Sequence, residues 1–253
     1  MINIHKEVYG QGQTIVLIHG WAMHSGVWRT FARELAKNYQ VICLDIPGHG
    51  LSDTVEPYTL EQISEVLIAT IPASTFSVLG WSLGASIALT MATHYPQRIN
   101  SLILVAGNPK FVETEGWHGV PAQLLEGFTE NLQSSCQLTL LRFLALQVNG
   151  LAEGQALLKQ LRQAIYECEA PVENVLKKGL NILKLADLRD DIRQLHCPLL
   201  LIQGDKDSLI PVQTAQNIQN IQANSKSNII PDAGHVPFLS HQAELIKMIS
   251  IFV

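Results

Sequence analysis

One serine, one histidine and a few aspartates in this 253-residue sequence are placed so that they could do nucleophilic chemistry. Gly80-Trp81-Ser82-Leu83-Gly84 has the form G-x-S-x-G. A serine hydroxyl attacks a carbonyl carbon only when a base takes its proton, and histidine titrates close enough to neutral pH to do so. A carboxylate then fixes the imidazole tautomer and stabilises the imidazolium. His235 follows the last strand-like run and is the candidate base. Asp45 and Asp207 end strand-like runs and are the candidate orienting acids, with Asp205 a rival two residues before Asp207. The motif alone would also fit a tight turn carrying a surface serine, so its flanks must decide. The residues from Phe76 are apolar and partly β-branched, and those up to Tyr95 are Ala, Leu and Met at helical spacing. That is the strand–turn–helix context that lifts a serine Oγ above a sheet. The helix N-terminus below offers unpaired N–H groups to a developing oxyanion. His5, His24, His94 and His118 lack such a context and read as surface or packing residues. His196 ends a connecting segment, and His241 begins or caps the last helix.

The scaffold comes from the apolar pattern. Residues 1–13 read as short edge strands around Ile2, Ile4 and Val8. Buried strands are expected at Thr14–Ile18, Val41–Leu44, Phe76–Gly80, Ser101–Val105, Pro198–Ile202 and Lys226–Ile230. Helices are expected at Val27–Lys37, at Leu60–Ile71 with Thr59 as N-cap, after Ser82 until Pro96, at Val212–Ile221 and at 241–252. Alternating strands and helices, with strands apolar throughout, make a parallel sheet covered on both faces. Ligands bind such sheets outside the carboxyl ends of the strands. His19-Gly20-Trp21, Asp45, Ser82, Asp207 and His235 all stand there. From Lys110 to Ala186 the pattern turns helical, over Pro121–Leu132, Cys136–Val148, Ala152–Tyr166 and Val172–Leu185. The expected organisation is therefore a core of residues 1–109 and 187–253, with an all-helical lid of residues 110–186 above the serine.

Hydrophobic residues make up 47% of the chain and charged ones 15%, as in a globular protein. A net charge of −5 argues against bulk attraction to nucleic acid or an anionic membrane. No apolar run has membrane-spanning length, and the N-terminal MINIHKEVYGQGQ has no signal-type apolar stretch. Cys43, Cys136, Cys168 and Cys197 are scattered and read as reduced thiols of a cytoplasmic protein. Gly10-x-Gly12 precedes a strand and lacks the third glycine of a dinucleotide site. With no H-E-x-x-H and no Cys–His cluster, neither metal nor cofactor is expected, and the chain is expected to be a monomer.

The order Ser82…Asp207…His235 is that of the α/β-hydrolases. His19-Gly20-Trp21, Asp45-x-Pro47-Gly48-His49-Gly50-x-Ser52, the serine elbow, Gly204-x-x-Asp207 and Gly234-His235 resemble that family's landmarks along essentially the whole chain. The resemblance implies the α/β-hydrolase fold, a mostly parallel doubly wound sheet with a helical lid. It places the acid three residues after Gly204, at Asp207, and leaves His19 and His49 in structural loops. Asp45 and Asp232 then serve as turn residues. The implied oxyanion hole is the backbone N–H of Leu83 with that of Trp21. Serine at position 82, where related dehalogenases and epoxide hydrolases carry aspartate, implies an acyl-serine intermediate.

Within that family, Trp21, Gly80–Gly84, Arg142-Phe143-Leu144-Ala145-Leu146-Gln147, the stretch Gly179–Leu188 and Gly234-His235-x-Pro237-Phe238-x-Ser240-His241 resemble the pimeloyl-acyl-carrier-protein methyl ester esterases of bacterial biotin synthesis. This implies hydrolysis of a methyl ester on a pimeloyl chain held by acyl carrier protein. It implies substrate contacts at Trp21, Ser82, Leu83, Phe143, Leu144, Ala145, Leu146 and Gln147. Some of Phe111, Trp117, Phe128, Leu141, Phe143, Leu144 and Leu146 could line an apolar passage suited to an aliphatic chain. The carrier is acidic, so lid cations should meet it: Arg142 and Lys159, helped by Arg162. Leu138 and Gln155 stand where further arginines are expected, and residues 110–184 hold no excess of Lys and Arg over Asp and Glu. Three other readings stay open: a short-chain carboxylesterase, a carbon–carbon bond hydrolase of the same fold, and a receptor that keeps the triad for binding.

Overall fold

The computed structural model describes residues 2–253. Strand β1 (Lys6–Tyr9) and β2 (Thr14–Ile18) lead into α1 (Arg29–Leu35), β3 (Gln40–Leu44), α2 (Leu60–Thr70), β4 (Phe76–Trp81), α3 (Leu83–His94) and β5 (Ile99–Val105). Four helices follow: α4 (Ala122–Ser134), α5 (Cys136–Gln147), α6 (Gly154–Ile165) and α7 (Glu173–Leu185). The chain then returns through α8 (Arg189–Arg193), β6 (Leu199–Gly204), α9 (Gln213–Ile221), β7 (Lys226–Ile230), α10 (Pro237–Ser240) and α11 (Gln242–Phe252). The strands form one sheet in the order β1-β3-β2-β4-β5-β6-β7, in which β1 alone is antiparallel. This is the α/β-hydrolase fold expected from the sequence, with a helical insertion between β5 and β6.

Burial explains the strands. Every residue of β2, β4 and β6 is buried, as the apolar runs require once helices cover both faces. Strand β4 lies at the centre, with Gly80 level with Ile18 on one side and Leu104 on the other. Helix α3 is buried from Leu83 to Ala92, packed between the sheet and α2. Its small residues allow this close approach: a Cβ on Gly84 would run into the Ile18 and His19 carbonyls. Thr59 caps α2 as expected, its Oγ1 accepting the Gln62 N–H at 3.3 Å.

Three features depart from the sequence reading. The expected helix from Val27 begins as a 3₁₀ turn, Ser25–Trp28, before α1. The insertion is not all helical, because residues 111–120 form a bridged turn that pairs Val112 with Val120 and Thr114 with Trp117. Trp117 pins that turn by donating from Nε1 to Asn108 Oδ1 at 3.0 Å. Helices α8 and α10 are too short for an apolar period to reveal.

The insertion is fastened to the core beside the serine. Trp21 Nε1 donates to the Leu176 carbonyl of α7 at 2.9 Å, and His24 Nε2 donates to the Ala164 carbonyl of α6 at 2.7 Å. Ion pairs Lys178–Glu56, Arg29–Glu167 and Lys110–Asp187 add to these ties.

Candidate active site

Ser82 is positioned by backbone strain. It joins β4 to α3 with φ 56° and ψ −119°, a region that non-glycine residues rarely enter. The flanking glycines make that turn possible, since a Cβ on Gly80 would collide with the Gly84 carbonyl. The hydroxyl so presented is buried and has no hydrogen-bond partner among the described residues.

His235 lies in the loop between β7 and α10. Its Nδ1 donates to Asp207 Oδ2 at 2.8 Å, and both side chains are fully shielded from solvent. The other carboxylate oxygen, Asp207 Oδ1, accepts the backbone N–H groups of Leu209 at 2.8 Å and Ile210 at 3.1 Å. The acid is therefore clamped, and the imidazole is left with Nε2 as its free atom. That atom is buried and unpartnered, like Ser82 Oγ. Buried polar groups are almost always paired, so each of these orphans is an atom whose bonding a ligand can complete. Asp205 is exposed at the surface and bonds neither ring nor serine.

The loop after β2 supplies the second half of the site. Gly20 lies against Ser82, 3.2 Å separating its notional Cβ from Ser82 Cβ. The backbone N–H groups of Trp21 and Leu83 donate to no protein acceptor among the described residues, which leaves both free to meet a ligand. Trp21 is fully buried, edge-on to Phe143 at 4.8 Å, with Phe128 5.6 Å from Phe143. Those three rings form an apolar wall reaching from the core into α4 and α5. Gly179 of α7 lets this wall close, because a Cβ there would stand 2.7 Å from Trp21 Cδ1. The Gly179 contact is not legible in the sequence, since a glycine inside a helical run carries no sign of what it faces.

The remaining predicted residues divide. Phe143, Leu144 and Gln147 are on the buried face of α5, and both amide atoms of Gln147 are buried without partners. Leu146 is half-buried, whereas Ala145 is exposed on the opposite side of α5 from Leu144. Phe111 is buried at the base of the 111–120 turn, where its carbonyl accepts the Val120 N–H. Arg142 and Lys159 are exposed on α5 and α6. No group of three or more His, Cys, Asp or Glu side chains suited to a metal occurs among the described residues, and none of the helices is long and apolar enough to cross a membrane.

The other loop histidines brace the turn after β2. His19 Nδ1 donates to the Gly20 carbonyl and Nε2 accepts the Ile46 N–H at 2.9 Å. His49 Nε2 accepts the N–H of Ala22, itself held at φ 63°. His24 caps the following turn through Gly26 N–H, so it is structural and not a surface residue. Asp45 is a brace as well, accepting Ser25 N–H on one oxygen and Leu51 N–H on the other. Burial is the main cause that lowers both His19 and His49 from near 6.5 to about 3. Between those values the unfolded chain binds more protons than the folded one, so stability falls as pH drops through that window. The melting temperature should therefore decline steadily from pH 6.5 to pH 4, and His49→Asn should flatten the decline. Thermal melts across that range check this; a level Tm in the wild type would contradict it.

A strained serine, a shielded His–Asp pair and two backbone N–H groups without protein acceptors among the described residues, Trp21 in the loop after β2 and Leu83 at the start of α3, stand at the carboxyl ends of the parallel strands. The chain matches the alpha/beta hydrolase fold family over residues 13–242 and belongs to it. It is 38% identical over 248 residues to the pimeloyl-[acyl-carrier protein] methyl ester esterase of Nitrosomonas europaea, covering 98% of each chain. It is 36% identical over 255 residues to the protein of the same name from Aeromonas hydrophila subsp. hydrophila, covering 100% of each. Among solved structures it resembles an esterase from Exiguobacterium antarcticum, with TM-score 0.89, 21% identity, and 99% of this chain and 95% of that one covered. That last likeness shows the fold alone.

Proposed function

We propose that this protein hydrolyses the methyl ester of a pimeloyl group carried by acyl carrier protein, through an acyl-serine intermediate on Ser82. The observation that carries the reading is the pair of buried, unpartnered atoms Ser82 Oγ and His235 Nε2, in a chain whose full-length relatives bear that enzyme's name. Ser82 Oγ attacks the ester carbonyl carbon while its proton passes to His235 Nε2. The carbonyl oxygen becomes an oxyanion facing the N–H groups of Trp21 and Leu83. As the tetrahedral adduct collapses, His235 returns the proton to the departing methoxy oxygen, and methanol leaves. His235 then takes a proton from water, whose oxygen attacks the acyl-serine carbonyl. As that adduct collapses His235 returns the proton to Ser82 Oγ, and the freed pimeloyl acid ionises to the carboxylate. Asp207 holds Nδ1 protonated throughout, so Nε2 stays available as base. The apolar wall of Trp21, Phe128 and Phe143 suits the methylene chain.

Charge supports the carrier as partner. Lys110, Lys177, Lys178 and Lys184 are each neutralised by an acid, Asp187, Glu173, Glu56 and Glu126 respectively. Arg142, Lys159 and Arg162 have no such partner among the described residues. The insertion's uncompensated cations thus lie on α5 and α6, where an acidic carrier would meet them. Such rim charges act mainly on the encounter rate and weaken with salt.

The test is a side-by-side kcat/KM on pimeloyl-carrier methyl ester and on a free short-chain ester such as p-nitrophenyl acetate. Arg142→Glu with Lys159→Glu should lower the carrier-linked value roughly tenfold at low salt and leave the free ester unchanged. Turnover of the free ester with none of the carrier substrate would replace this reading with a short-chain carboxylesterase.

A further inference from the structure

His235 is held by more than its ring. Its Nδ1 bonds Asp207, its backbone N–H donates to the Gln147 carbonyl at 3.2 Å, and its own carbonyl accepts the Trp81 indole N–H at 2.7 Å. One bond to Asp207 would let the imidazole swing with its loop. The two backbone bonds remove that freedom, and the shorter of them comes from the residue next to the nucleophile. We propose that Trp81 is a positioning residue: its indole N–H fixes the main chain of His235 and so sets where Nε2 stands relative to Ser82 Oγ. The proposal rests on the reading of Ser82 and His235 as nucleophile and base.

The indole itself is immobilised. Phe238 packs edge-on against it at 4.9 Å and Trp28 at 6.1 Å, and the His235 ring lies 5.7 Å away. Phe238 follows His235 by three residues, so the loop that Trp81 holds also holds Trp81. Trp81 thus ends strand β4 as the group that locates the base, and the nucleophile follows it by one residue. Any large apolar side chain would fill this volume, but of the aromatic hydrocarbons and indole only indole offers a donor. Trp28 gives the contrast: it is buried in the same cluster, yet its Nε1 has no partner among the described residues. A buried indole N–H is therefore not paired here as a matter of course, and the bond from Trp81 is specific.

Trp81→Phe keeps an aromatic ring and deletes the donor. Misplacing a catalytic group by a fraction of an ångström to an ångström costs ten- to about a hundredfold in rate. Trp81→Phe should lower kcat on p-nitrophenyl acetate by at least tenfold, with KM within about twofold, and slow fluorophosphonate labelling of Ser82 in parallel. Phe31→Leu serves as the packing control, since Phe31 touches Trp28 and Phe238 in the outer part of the cluster. It should lower Tm and leave kcat unchanged. A wild-type kcat in Trp81→Phe, or a kcat loss in both variants that follows their loss of Tm, would overturn the proposal. Full activity in Ser82→Ala would instead overturn the reading of the site beneath it, so the two failures are distinguishable.

Discussion

Ser82→Ala should lower kcat for ester hydrolysis by about a millionfold while leaving the protein at least as stable as the wild type. The rate loss follows from the mechanism, because no other nucleophile shares the turn and His235 Nε2 would have no hydroxyl to deprotonate. The oxyanion donors are backbone groups and survive the change, so substrate should still bind with nearly the original KM. The stability gain has a separate cause. Ser82 Oγ is buried with no partner among the described residues, and burying an unpaired hydroxyl costs about 1–3 kcal/mol. Alanine removes that group and keeps the Cβ that serine already carries at φ 56°. Thermal melts and steady-state kinetics on one preparation check both halves. Residual activity within tenfold of wild type would exclude Ser82 as the nucleophile. Equal activity loss with a sharply lower Tm would mean that the hydroxyl has a structural partner.

The fold was legible because its strands are buried on both faces. Continuous apolar runs such as Thr14–Ile18 have no alternation to misread, and the helices between them keep a clear period. The chain order of Ser82, Asp207 and His235 then placed three chemical groups at one edge of the sheet, where His235 and Asp207 are hydrogen-bonded. What escaped the sequence depends on side-chain direction and on contacts far apart in the chain. Ala145 lies inside an apolar run, but a 3.6-residue period turns it to solvent while its neighbour Leu144 is buried. His24 sits outside any strand end, yet it joins the loop after β2 to α6 across 140 residues. Trp81 reads as the variable residue of the G-x-S-x-G motif. Its bond to the His235 carbonyl spans 154 residues and follows from the loop path after β7, which no local pattern encodes.

The same logic of separated partners gives the second large effect. Asp207→Asn should reduce kcat by about ten-thousandfold with little change in KM. Asparagine has nearly the shape of aspartate, and its Oδ1 can keep the bonds from Leu209 and Ile210 N–H, so the loop should stay folded. Its NH2 group would then face His235 Nδ1. Two donors cannot pair, so the imidazole would move its proton to Nε2 and offer Nδ1 as acceptor. In that tautomer Nε2 can no longer take the proton from Ser82 Oγ, and the imidazolium loses its neighbouring negative charge. Asp205→Asn is the control, because Asp205 is exposed two residues away and bonds neither His235 nor Ser82. It should behave as wild type. A kcat for Asp207→Asn within tenfold of wild type would mean that the His235 tautomer is set by another group, and the clamp on Asp207 would then serve only to shape its loop.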